Sequence, residues 1–173
     1  YEDKNTRYQN LSNPIVFMAG GKGKRLMPHT GSCPKPMLKI GGKPILERLL
    51  EKSIRSGFSN FYISVNYLKD QIIDYFQDGE KWGVKIKYLI ENKPCGTAGS
   101  LGLIKDKIGL PILVINSDVL TGLDYKLLLA FHEKNKSMAT ICSRNYNVDI
   151  PFGVFNSDGI VFKGLDEKPT FVF

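Results

Sequence analysis

Apolar and polar positions along this chain follow two alternating rhythms. The apolar run over residues 14–19 predicts a short buried strand. Residues 61–65, 85–90, 112–115 and 138–142 predict further strands. The 85–90 stretch alternates, while 112–115 is wholly apolar, as in a buried parallel strand. Between these, the period changes to that of a helix. Ile45, Leu46, Leu49, Leu50 and Ile54 repeat at helical spacing after Pro44, whose missing N–H costs nothing in a first turn, and Gly57 closes the segment. Residues 67–76 predict a second helix with Leu68, Ile72, Tyr75 and Phe76 on one side. A short helix is predicted over 97–104 and another over 123–133, with Leu123, Leu127 and Phe131 in register. Residues 37–40 predict a short extended piece before a Gly41-Gly42 turn. Val154-Phe155 and residues 160–162 predict a hairpin around Ser157-Asp158-Gly159. Strands alternating with helices imply a doubly wound α/β sheet, with ligands at the carboxyl ends of its strands. Residues 1–13, polar and featureless, are expected to be a tail or linker, and 14–173 the folded core.

The 173 residues suit one domain with a real core. No apolar run approaches the length of a membrane span, so no membrane partner is expected. Cys33, Cys95 and Cys142 are widely spaced and form no CxxC pair, which points to reduced thiols and a cytoplasmic setting. The net charge of +7 raises the question of nucleic acid. Several of the cations gather in one glycine-rich loop, however, and no aromatic-basic interleaving accompanies them, so a nucleic-acid partner is not expected. No zinc-ligand cluster and no nucleophile–histidine order stands out. Oligomeric state is left open, a homo-oligomer included.

That loop follows the first strand directly. Gly20, Gly21 and Gly23 let backbone approach a ligand closely, and Lys22, Lys24 and Arg25 are interleaved with them or follow at once. Lys35 stands between Pro34 and Pro36, which fix φ on either side and present its side chain from a stiff loop. Exposed amides and several cations after a strand suit a polyphosphate. The P-loop pattern fails, because Arg25 follows Lys24. The dinucleotide pattern fails too, because Leu26 occupies its third glycine position. By itself the loop fits a solvated basic turn as well as a phosphate site. Asp118, ending the run from Leu113, suits either a Mg²⁺ ligand or the cap of the next turn.

The longer pattern narrows the choice. GGKGKRLMPHT followed by PKPMLKIGGKPILE closely resembles the signature of sugar-nucleotide pyrophosphorylases, the sugar-1-phosphate nucleotidyltransferases, and among them the mannose-1-phosphate guanylyltransferase-like members. The resemblance rests on Gly20, Gly21, Gly23, Arg25, Leu26, Pro28, Thr30, residues 34–38 and residues 44–46, and extends over residues 14–170. It implies a Rossmann-like nucleotidyltransferase sheet and a reaction in which a nucleoside triphosphate and a sugar 1-phosphate give a nucleotide sugar and pyrophosphate, with Mg²⁺ as cofactor.

The resemblance also distributes roles. Arg25, Lys35 and Asp118 are the expected catalytic residues: Arg25 on the β and γ phosphates, Lys35 near the reacting phosphates, and Asp118 on the metal, with Ser117 before it where Gly is frequent. Ala19, Gly20, Gly21, Gly23 and Lys24 would bind nucleotide from the loop. Gly96 and Thr97 belong to a Gly-Thr-Ala-Gly segment that lines the nucleoside pocket. Glu91 falls where relatives read the base. A carboxylate there would accept from guanine N1–H and N2–H₂ and favour GTP over dTTP or UTP, unless Glu91 simply ends a strand in solvent. Glu167 and Lys168 of a Glu-Lys-Pro triplet, with Gly153 of a Phe-Gly pair, would meet the sugar phosphate. Family members continue past that triplet and add a second metal-binding Asp, so an incomplete core is expected here. The rival reading from another class is a non-catalytic domain that senses a nucleotide or sugar phosphate.

Overall fold

The computed structural model describes residues 11–23, 26–28 and 30–173, and the chain divides after Lys134 into two units. In chain order the first unit contains β1 (Ile15–Met18), β2 (Lys39–Ile40), β3 (Lys43–Pro44), α1 (Ile45–Arg55), β4 (Asn60–Val65), α2 (Lys69–Phe76), β5 (Lys85–Ile90), β6 (Leu113–Asn116) and α3 (Tyr125–Lys134). Its central sheet has the order β5-β4-β1-β6 and is parallel throughout. Chain order therefore reverses at β1. The strands after it step first to one side, through β4 and β5, and then to the other, at β6. This is the first half of a doubly wound sheet, and the crevice at its reversal is where such sheets hold ligands.

The two inner strands, β1 and β4, are buried on both faces, which is why they are near-continuous apolar runs, while the edge strands β5 and β6 alternate buried and exposed positions. Ile15 and Phe17 of β1, with Phe61, Ile63 and Val65 of β4, pack against Leu46, Leu49 and Leu50 of α1, Ile72 and Phe76 of α2, and Tyr125 and Leu129 of α3. Val16, Tyr62 and Leu89 form the opposite face, under Leu101, Ile104, Ile108 and Ile112. The switch of faces from Ile15 to Val16 to Phe17 is the period of two of a strand. All three helices cover the first face, and the second is covered by a 3₁₀ turn and loop.

Tyr75 joins the two helices beneath the sheet. Its hydroxyl donates to Glu47 of α1 at 2.7 Å, and Glu47 is itself buried. Burial, then the Glu47 carboxylate, pushes the Tyr75 hydroxyl up to about 12, so it stays protonated and keeps donating. Tyr75→Phe is expected to destabilise the unit by about 1–3 kcal/mol, because the buried carboxylate loses its donor. Urea denaturation checks this, and an unchanged midpoint would count against it. Trp82 stacks on Phe76, with ring centroids 5.3 Å apart, so the sole tryptophan is a packing residue.

The second unit contains β7 (Asn147–Asp149), β8 (Gly153–Asp158), β9 (Val161–Glu167) and β10 (Thr170–Val172). β8 and β9 form the predicted hairpin, longer than its apolar core suggested and bulged at Asn156/Ser157. β7 pairs with β10.

Four local expectations are corrected. Residues 138–142 are not a strand; the pairing falls instead at Asn147–Asp149, whose partner lies in β10 more than twenty residues on. Helical structure within 97–104 is limited to a 3₁₀ turn at Gly99–Leu103, where Gly99 and Gly102 weaken an α-helix. Residues 37–40 are not one extended piece: Lys35–Met37 is a 3₁₀ turn, and β2 folds back on β3 over Gly41-Gly42. In α3 the buried residues are Tyr125 and Leu129, while Leu127 is 69% and Phe131 57% exposed. That helix offers two apolar stripes, and spacing alone cannot choose the one that meets the sheet. No helix among the described residues is long and apolar enough to cross a membrane.

Candidate functional site

The carboxyl ends of β1, β5 and β6 open onto one cleft of about 580 Å³. β1 delivers Met18, Gly20, Gly21 and Gly23; β5 delivers Glu91, Pro94, Gly96 and Thr97; β6 delivers Asn116, Ser117 and Asp118. Leu26, Lys35 and Pro36 complete the wall. Ala19 is buried behind it, and its N–H donates to the Ser64 carbonyl at 2.9 Å, one step past the ladder. Eight sequence-predicted residues therefore share the cleft: Gly20, Gly21, Gly23, Lys35, Glu91, Gly96, Thr97 and Asp118. Lys24 and Arg25 lie outside the described residues.

The loop between β1 and Lys35 is held from below. Gly23 has φ +61°, and a Cβ there would meet the Thr30 methyl at 3.0 Å and Lys35 Cβ at 3.2 Å, so both the turn and the packing call for glycine. Thr30 is fully buried and donates to the Gly23 carbonyl at 3.0 Å. From α2 and the residues before it, the Tyr67 hydroxyl donates to the Gly31 carbonyl at 2.8 Å and Gln71 to the Ser32 carbonyl at 2.9 Å. Those braces come from more than thirty-five positions away, and no local pattern announces them. Lys35 begins the 3₁₀ turn; Pro34 has φ −66° and Pro36 is buried, so the turn is anchored on both sides of the cation.

Lys35 and Asp118 form an ion pair, Nζ to Oδ2, with both side chains about a third exposed. The departure at Ser117 has a local reason: its hydroxyl donates to the Met18 carbonyl at 2.6 Å, tying the end of β6 to the end of β1. Nothing in the isolated triplet Asn116-Ser117-Asp118 marks that bond. Glu91 and Asp118 are the carboxylates that line the cleft. Glu91 is 7% exposed, so it does not end its strand in solvent, and each of its oxygens already accepts a hydrogen bond. Asp118 is the accessible one. A Mg²⁺ ion shared with phosphate oxygens takes one or two carboxylates plus water, a donor set that Asp118 fits. Among the described residues no three His, Cys, Asp or Glu side chains cluster.

The second unit holds the remaining predicted residues. The β8–β9 register sets Gly153 directly opposite Glu167, and a Cβ on Gly153 would lie 3.2 Å from Glu167 Oε2. Lys168 follows at φ 46° in the turn to β10.

A parallel sheet with chain reversal at β1, and a glycine loop, a lysine and a carboxylate gathered at the carboxyl ends beside that reversal, is the architecture of nucleotide-binding α/β proteins. The nucleotidyl transferase family model matches residues 14–171, and the chain belongs to that family. The mannose-1-phosphate guanyltransferase of Yarrowia lipolytica is 34% identical over 143 residues, 80% of this chain and 39% of that protein. The mannose-1-phosphate guanylyltransferase of Mycobacterium tuberculosis is 37% identical over 127 residues, 73% of this chain and 35% of that protein. HddC from Yersinia pseudotuberculosis, solved in complex with GMP-PN, superposes with a TM-score of 0.60 at 30% identity, covering 92% of this chain and 72% of that one. The chain thus spans roughly two-fifths of the length of the curated relatives it matches.

Proposed function

We propose that this chain carries the nucleotide-binding core of an enzyme that transfers a nucleoside monophosphate, from GTP foremost, to a sugar 1-phosphate in a cytoplasmic setting. The observation that carries the reading is the Lys35–Asp118 pair beside the glycine loop, at the sheet reversal. The guanyl-transferring relatives, and a structural neighbour solved with GMP-PN, support GTP as the nucleotide.

In that reaction an oxygen of the sugar phosphate attacks the α-phosphorus, the bond from the α-phosphorus to its bridging oxygen breaks, and pyrophosphate leaves. The protein forms no covalent bond to substrate. Its work is alignment and neutralisation of negative charge. The loop of Gly20, Gly21, Gly23 and Lys24 would present amides and charge to the triphosphate, with Ala19, whose own N–H donates to the Ser64 carbonyl, anchoring it from behind, and the Arg25 fork would grip the β and γ phosphates. Lys35 would neutralise charge at the reacting phosphates. Asp118 would hold Mg²⁺, which when bound neutralises phosphate oxygens and fixes their orientation. Gly96 and Thr97 would line the nucleoside side of the cleft, with Glu91 beneath. Gly153, Glu167 and Lys168 would meet the sugar phosphate.

A thermal-shift panel of GTP, dTTP, UTP, CTP and ATP, each with and without Mg²⁺, tests this. GTP with Mg²⁺ is expected to give the largest shift, since a ligand at a hundred times its Kd stabilises by about 2.7 kcal/mol. A larger shift with dTTP or UTP would remove the guanine preference and leave the reaction class. No shift with any nucleotide would overturn the reading.

A further inference from the structure

Glu91 does more than line the cleft. Its carboxylate lies in the cleft floor, 7% exposed, and three segments converge on it. The fully buried Ser64 hydroxyl, from β4, donates to Oε1. The Cys95 backbone N–H, four residues on in the loop after β5, donates to Oε2 at 2.9 Å. Gly20 of the glycine loop rests against Oε1 so closely that a Cβ there would sit 2.8 Å from that oxygen. The backbone is secured as well: the Glu91 N–H donates to the Val65 carbonyl at 2.9 Å, and Asn66 donates to the Glu91 carbonyl at 2.6 Å. A buried carboxylate is tolerated where donors satisfy it, and this one is satisfied by β4 behind the cleft and by the loop after β5 that forms one of its walls.

We propose that Glu91 is a positioning residue whose carboxylate clasps the loop of residues 92–97 to the floor under the glycine loop and so sets the gap in which any nucleotide must fit. This rests on the nucleotide-binding reading of the cleft and deepens it. The glycine at position 20 then serves the carboxylate. Gly21, where a Cβ would meet nothing within 4 Å, is the loop glycine left open toward a ligand. Because the clasp acts through loop placement, it bears alike on every nucleotide, whereas a carboxylate that read guanine would bear on GTP alone.

Two measurements on the chain test it. The first is titration calorimetry of GTP, UTP and ATP with Mg²⁺ against the wild type, Glu91→Ala, Glu91→Gln and Ser64→Ala. Glu91→Ala is expected to weaken each nucleotide that binds by about ten- to hundred-fold, in equal proportion, since a loop misplaced by about an ångström costs on that order. Glu91→Gln keeps an oxygen for the Cys95 amide and is expected to recover most of the affinity. Ser64→Ala is expected to add little to Glu91→Ala in the double variant, because both act through one contact. The second is amide exchange at Cys95 without nucleotide, which is expected to speed up at least tenfold in Glu91→Ala and far less in Glu91→Gln. A loss confined to GTP, or unchanged exchange at Cys95, would overturn the clasp. So would a melting temperature that falls in Ser64→Ala and Glu91→Gln while affinities stay as in the wild type. If the wild type binds no nucleotide, the reading of the cleft fails, and the exchange comparison still decides the clasp by itself.

Discussion

Asp118→Asn is expected to lower sugar-1-phosphate-dependent pyrophosphate release by about 10²–10³-fold, the usual cost of removing one preorganised electrostatic group from a reacting centre. The side chain keeps its shape and loses its charge, so on the proposed reading a Mg²⁺ ion against the phosphates would lose its protein carboxylate. The fold should hardly notice. The Lys35–Asp118 pair is about a third exposed on each side, and such pairs contribute about 0–1 kcal/mol to stability. A large loss of turnover beside a nearly unchanged melting temperature is therefore the signature. Lys35→Met is expected to lose activity on a similar scale for the complementary reason, since on the proposed reading it would remove the cation at the same phosphates. The two losses should fall well short of additive in the double variant, because both residues serve one charge distribution. Turnover within tenfold of wild type in Asp118→Asn would move the metal and the chemistry elsewhere.

Phe17→Ala is expected to cost the first unit about 3–5 kcal/mol, a large share of the roughly 5–15 kcal/mol that holds a domain together. Phe17 is fully buried in the central strand, paired on both sides by β4 and β6. Its ring stacks on Phe61 at 5.8 Å with an interplanar angle of 6°, and the helices close over it. The cavity cannot collapse cheaply, because the strand positions on either side are fixed by ladder hydrogen bonds. The loss should appear in urea as a lower midpoint at unchanged slope, which marks a change in stability alone. Nucleotide affinity per folded molecule should change far less than stability. A loss under about 1 kcal/mol would mean that the sheet repacks around the vacancy.

Much of this molecule is written in local pattern. Strands β1, β4, β5 and β6 coincide within a residue or so with the segments that predicted them, because an inner strand buried on both faces reads as an apolar run and an edge strand with one covered face reads as alternation. α1 is equally plain, with Pro44 before it and basic residues in its last turn. That the glycine loop and Lys35 belong to one cleft wall was legible because both lie within about seventeen residues of the end of β1. Residues 138–142 misled for the opposite reason: an apolar stretch says that a strand is possible and says nothing about whether a partner is in reach.

α3 shows the next limit. Leu123, Leu127 and Phe131 and the pair Tyr125 and Leu129 are both sound helical stripes, and only docking against the sheet selects the second. Glu91 shows it again at the cleft. The sequence presents a carboxylate after a strand, equally suited to reading a base or ending in water. Burial, the Ser64 hydroxyl and the Cys95 amide are properties of β4, β5 and a loop brought together, and none is adjacent in the chain to all the others. By itself, then, the sequence determined the strands of the central sheet and helix α1, and which short stretch gathers glycines and cations, since both depend on neighbours a few residues apart. Tertiary structure alone decided the strand order that puts β1 beside β6, the meeting of Lys35 with Asp118 across more than eighty residues, and the burial of Glu91, because contacts of that separation are settled by packing and register.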